Sequence, residues 1–136
     1  MARPALLFLA AGLSFATPDS EIRLSATISV PQSVFHVKET AKLAVSFTVT
    51  NAGAATVEPD IGSSQLFVNG AVPDPWDMTI GNGLRSPDFW ALPPGQTLYF
   101  NYQLGPVYFA KPGAYKVRWK GPHFETPEIT FRVEPD

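Results

Sequence analysis

Few residues in this chain have the types and spacing that reactions require. There are two histidines, His36 and His123, and neither is followed by a second histidine at the spacing of a metal site, so both read as surface or hydrogen-bonded residues. Asp60, Asp74, Asp77 and Asp88 sit in loops of the oxygen-rich kind that can hold Ca²⁺, but no Asp-x-Asp spacing supports a site, and solvated carboxylates are the expectation. Glu125 and Glu128 are the residue type used in pairs for glycoside hydrolysis, without a spacing that fixes their geometry. Gly62-Ser63-Ser64-Gln65 lacks the Gly-x-Ser-x-Gly elbow of a serine hydrolase and the helix that follows it. Gly81-Asn82-Gly83 is too short to cradle a phosphate and reads as a turn. The expectation is therefore a protein that is not an enzyme and takes no metal ion and no cofactor.

Binding is better represented. Pro73-Asp74-Pro75-Trp76-Asp77 and Ser86-Pro87-Asp88-Phe89-Trp90 place large aromatics in proline-stiffened loops. Such side chains lose little entropy when a partner covers them, and tryptophan is enriched at interface hot spots. Trp76, Asp77, Phe89 and Trp90 are the candidate binding residues. The partner expected is a protein, with a carbohydrate as the other ligand class. The same tryptophans can equally serve as lids over the ends of a core. Tyr99, Tyr108, Phe109 and Phe124 are further aromatic candidates. Lys116, Arg118 and Lys120 form a basic stripe with Arg132 expected on the neighbouring strand; it reads first as the charge a solvated strand face needs.

The elements that must position these loops are strands. Ile22, Leu24, Ala26, Ile28 and Val30 alternate with polar residues up to Pro31, and Val34–Val37 is expected to continue the chain into a second sheet. Leu43, Val45, Phe47 and Val49 alternate up to the turn Asn51-Ala52-Gly53. Thr56–Ile61, interrupted by Pro59, reads as a short edge strand, and Ser64–Val68 as a strand closed by the tight turn Asn69-Gly70. Trp76–Ile80 reads as one more short strand within a loose stretch from Ala71 to Gly95. Three alternating runs follow, Leu98 to Leu104, Tyr115 to Trp119 and Ile129 to Val133, and they read as one inner-facing wall. The fold class is all-β, an immunoglobulin-like antiparallel β-sandwich of about seven to nine strands over residues 22–136, with an open barrel as the alternative.

The first sixteen residues differ from the rest. Arg3, the apolar run Ala5 to Phe15 and the small residues of Ser14-Phe15-Ala16 form the pattern of a secretory signal peptide over residues 1–16, followed by a polar leader at 17–21. The run is too short to span a bilayer, so export to the periplasm or medium without an integral membrane anchor is expected. Cleavage after Ala16 leaves 120 residues carrying 9 basic and 12 acidic side chains, a formal charge of −3. That balance argues against nucleic acid as a partner. With no cysteine, the domain has no disulfide, thiol nucleophile or thiolate metal site, and its core must hold it alone.

Thr48 to Gly53 (Thr-Val-Thr-Asn-Ala-Gly), Gln65-Leu66-Phe67-Val68, a middle tryptophan, Leu92-Pro93-Pro94-Gly95-Gln96-Thr97 and Lys111-Pro112-Gly113-Ala114-Tyr115-Lys116-Val117 resemble bacterial immunoglobulin-like domains. Among these the order is similar to the family named for a bacterial intracellular proteinase inhibitor, the BsuPI-like family. The resemblance spans most of Ile22 to Val133 and implies a β-sandwich and a proteinase-inhibitor role. The chain departs from the family in its export pattern, and no inhibitory residue maps onto a position here. The leading expectation is a secreted, non-enzymatic binding or interaction module, with proteinase inhibition as the alternative.

Overall fold

The alternating stretches form eight strands in the computed structural model, which describes residues 22–74, 76–81 and 86–136. The signal peptide and leader expected at 1–21 lie outside the described residues, as do Pro75 and most of the turn expected at Gly81–Gly83. Strands β1 (Leu24–Ser29), β3 (Ala44–Asn51) and β5 (Thr97–Gln103) make a three-stranded sheet in the order β1-β3-β5. The second sheet runs β2-β8-β6-β4, from β2 (Val34–His36), β8 (Ile129–Glu134), β6 (Gly113–Gly121) and β4 (Gln65–Val68), with β7 (Phe124–Glu125) also paired to β6. Among the described residues the strand pairings are antiparallel except β2 with β8.

Pro31 precedes the first change of sheet. It ends β1, and the chain resumes at Val34 in the opposite sheet, as the sequence led us to expect. One core fills the space between the sheets. Val45, Phe47, Val49, Val117, Trp119, Phe131 and Val133 all lie at 1% exposure or less. Phe47 from one sheet meets Trp119 from the other edge to face at 5.0 Å and stacks on its cross-strand neighbour Phe100 at 5.0 Å. Such aromatic pairs add roughly 0.5–1.5 kcal/mol each beyond their area burial, so this cluster is a principal tie between the sheets.

Three expectations need correction. The runs from Leu98 to Val133 do not form one wall: β5 belongs to the three-stranded sheet and β6 and β8 to the other. The connection from β5 to β6 is too long for a tight hairpin and contains the helical turn α2 (Gly105–Tyr108), which carries the chain across the sandwich. Thr56–Ile61 is not a strand; only Val57 pairs, in an isolated bridge with Leu92, and Ile61–Ser63 is a 3₁₀ turn. Trp76–Gly81 is an α-helix, α1, rather than a strand. Trp76 and Ile80 are both buried whereas Met78 between them is 63% exposed, which is the i, i+4 pattern of one helix face.

Local turn chemistry agrees with the sequence. Asn69 and Gly70 both take positive φ, 51° and 88°, in the turn after β4. Asn51 ends β3 fully buried and ties its loop together: its Nδ2 donates to the carbonyls of Ala55 and Leu92 at 2.8 and 2.9 Å, and its Oδ1 accepts from Gly53 N–H at 2.9 Å.

Candidate functional site

The four candidate binding residues have different surroundings. The chain enters α1 after Pro73, whose carbonyl accepts from Trp76 N–H at 3.0 Å. The indole of Trp76 turns inward, 2% exposed, packs 6.0 Å from Phe47, and donates from Nε1 to the Ser64 carbonyl at 2.8 Å. It forms a lid on the core, the second of the two readings that the sequence leaves open for it. Asp77 beside it is exposed and accepts from Met78 N–H at 2.8 Å, a local contact within α1.

Pro87–Phe89 is a 3₁₀ turn with proline in its first position, where the fixed φ suits a helical start. Phe89 points inward at 7% exposure and joins the core, its ring 5.3 Å from Phe100. Trp90 follows and points outward, 60% exposed, while its N–H donates to the Pro87 carbonyl at 2.9 Å. Ala91 N–H donates to the same carbonyl, and Leu92 exchanges two backbone hydrogen bonds with Val57. Trp90 is thus a large apolar side chain held in water on a segment fixed on both sides.

The other aromatic candidates divide similarly. Phe109 and Phe124 are buried, and Tyr108 is half-buried. Burial, with the Asp74 and Asp77 carboxylates adding to it, pushes the Tyr108 phenol above its ordinary pKa. Tyr99 is 58% exposed on the outer face of β5, where hydrogen bonds with Ser46 and Asn101 hold its phenol below the ordinary value. Val72, Met78 and Val107 are also exposed. Sequence reasoning missed Met78 and Val107 as exposed side chains; a helical reading of Trp76 and Ile80 would have turned Met78 outward, but no sequence signal marks Val107.

The residues considered for chemistry have separate partners. His123 Nε2 lies 3.1 Å from Asp60 Oδ2, and His36 Nδ1 lies 3.3 Å from the Pro135 carbonyl. Arg118 pairs with Glu125 at 2.9 Å and lies over the Phe67 ring, its guanidinium carbon 4.1 Å from the ring centre. Lys116, Lys120 and Arg132 are all exposed, and Arg132 stands opposite Ala114 across the sheet, 3.6 Å from Glu134. No group of three or more His, Cys, Asp or Glu side chains suited to a metal ion occurs among the described residues. An open depression of about 250 Å³ beside α1 is lined by polar groups of Ser63, Ser64, Gln65, Asp74 and Asp77. None of the described helices is long and apolar enough to cross a membrane.

Two kinds of comparison gave no match: no protein-family model fits the chain, and no curated protein resembles it in sequence. Solved structures resemble it in fold. The CARDB domain of a Pyrococcus furiosus protein, crystallised with di-metal ions, is 16% identical at a TM-score of 0.50, over 85% of this chain and 97% of that one. A β-glucosidase from Erythrobacter marinus is 14% identical at a TM-score of 0.50, over 82% of this chain but only 15% of its own length. At such identities the likeness concerns architecture: the chain has the immunoglobulin-like β-sandwich fold that CARDB domains share.

Proposed function

We propose that this protein is an exported, non-enzymatic interaction module that engages its partner through Trp90. The observation that carries this reading is the indole itself, 60% exposed on a proline-stiffened turn whose preceding residue, Phe89, is seated in the core. An exposed tryptophan on a hydrogen-bonded turn has already lost backbone freedom that binding would otherwise remove, and it offers a large apolar area with one hydrogen-bond donor. The partner is a protein surface; a carbohydrate is the other ligand class such an indole accepts by stacking.

Comparative capture from the native envelope and medium, with the protein and its Trp90→Ala variant as baits, tests the reading. The variant should fold with a stability change of no more than about 1 kcal/mol, because most of the indole is exposed, yet lose at least about 2 kcal/mol of binding to whatever the parent retains. Equal retention by both baits would remove Trp90 from the interface. The narrower alternative, proteinase inhibition, rests on the resemblance of turn residues, and undiminished activity of a panel of serine and metalloproteases in excess protein would dismiss it.

A further inference from the structure

A β-sandwich has four edge strands, each a row of backbone donors and acceptors that another chain can pair with. In this protein β1 lies against β7, β2 is only three residues long, and β4, four residues long, is flanked by α1. The fourth edge, β5, is different. It runs seven residues, Thr97-Leu98-Tyr99-Phe100-Asn101-Tyr102-Gln103, with no charge, proline, glycine or bulge, and among the described residues it pairs only with β3. Its inward-facing Phe100 and Tyr102 stay half-exposed, although their cross-strand neighbours Phe47 and Val45 are fully buried. The inner side of this edge is incompletely covered.

We propose that β5 pairs antiparallel with β5 of a second copy of this chain, centred on Phe100, to join two three-stranded sheets into one of six. The strand is complementary to itself in that register. Outward Tyr99 falls opposite Asn101 of the second copy and outward Thr97 opposite Gln103, while inward Leu98 meets Tyr102 and Phe100 meets Phe100. Each outer pair is polar with polar, and each inner pair apolar or aromatic, so neither face changes character at the junction. Tyr99 and Asn101 are already hydrogen-bond partners within one strand at 3.2 Å, and the two-fold axis would place them together twice more. A strand without charge has no like-charge clash when it meets itself, and it offers a foreign strand no charge to recognise. Such an isologous contact closes after two copies.

Sedimentation equilibrium of the purified protein from micromolar to millimolar concentration tests the pairing. The unmutated protein should pass from monomer to dimer within that range and go no further. The double substitution Tyr99→Lys with Asn101→Lys puts like charges opposite each other twice in this register and should weaken association at least about tenfold. Tyr99→Glu with Asn101→Lys puts opposite charges there and should retain the dimer. Both pairs of substitutions lie on the solvent face, so unchanged far-ultraviolet circular dichroism and thermal midpoints identify folded variants. Trp90 is intact in all three proteins, which separates this test from the one above. A protein that is monomeric throughout the range, or a double-lysine variant that associates as well as the parent, overturns the proposal.

Discussion

Trp119→Ala should lower the free energy of unfolding by about 3 to 5 kcal/mol, read from urea denaturation with the slope unchanged. The indole is wholly buried in β6, with ring centres of Phe47 and Phe100 from the other sheet at 5.0 and 5.7 Å and Phe124 at 4.5 Å. Its removal leaves a cavity between two sheets whose backbones are held by their own ladders, so the site closes little and both transfer and cavity terms apply. Trp119→Phe should cost less than half as much. It keeps most of the apolar contact, and the Trp119 Nε1 has no hydrogen-bond partner among the described residues to lose. A change below about 0.5 kcal/mol for the alanine variant would mean that Trp119 faces solvent and that the inner and outer faces of β6 are reversed.

Gly105→Ala should destabilise by at least about 3 kcal/mol, at the upper end of overpacking effects. A Cβ at this position would stand 1.8 Å from the Thr40 carbonyl oxygen, 2.7 Å from its carbon and 2.8 Å from Leu43 Cβ. Two of these atoms are backbone, held in the 3₁₀ turn Val37–Lys42, so no side-chain rotation relieves the clash. Movement of α2 away from that turn would also stretch the bond from Gly105 N–H to the Leu43 carbonyl, 3.1 Å. Gly62→Ala provides the comparison, since a Cβ there meets nothing within 4 Å; its stability should move by no more than about 1 kcal/mol. Equal behaviour of the two alanine variants in thermal unfolding would show that α2 does not sit against the Val37–Lys42 turn.

These two positions differ in how far the sequence announced them. Trp119 lies in an alternating run, and period two assigns it to the buried face without any structure. Gly105 lies next to Pro106 with no periodic context, and its role comes from a backbone over sixty positions earlier in the chain. The helix α1 was illegible for a narrower reason. In Trp76-Asp77-Met78-Thr79-Ile80, residues two apart are all apolar, so the strand pattern contains the i, i+4 pair of a helix, and a window this short cannot separate them. Only the exposure of Met78 does.

The sequence by itself determined which strand residues face inward, where the tight turn at Asn69-Gly70 falls, and that the first strand stops before Pro31, because side-chain alternation, φ preference and the missing proline N–H are local properties. Tertiary structure decided which sheet receives β5, since both sheets face one core and the same alternation serves either. It also decided the fates of Trp76 and Trp90, which share a residue type and a proline-rich setting. One lies over Phe47 with the Ser64 carbonyl to receive its N–H, and the other stands in water beside a buried phenylalanine. Burial depends on what the rest of the chain brings to a position, and that is not encoded in the neighbours along the sequence.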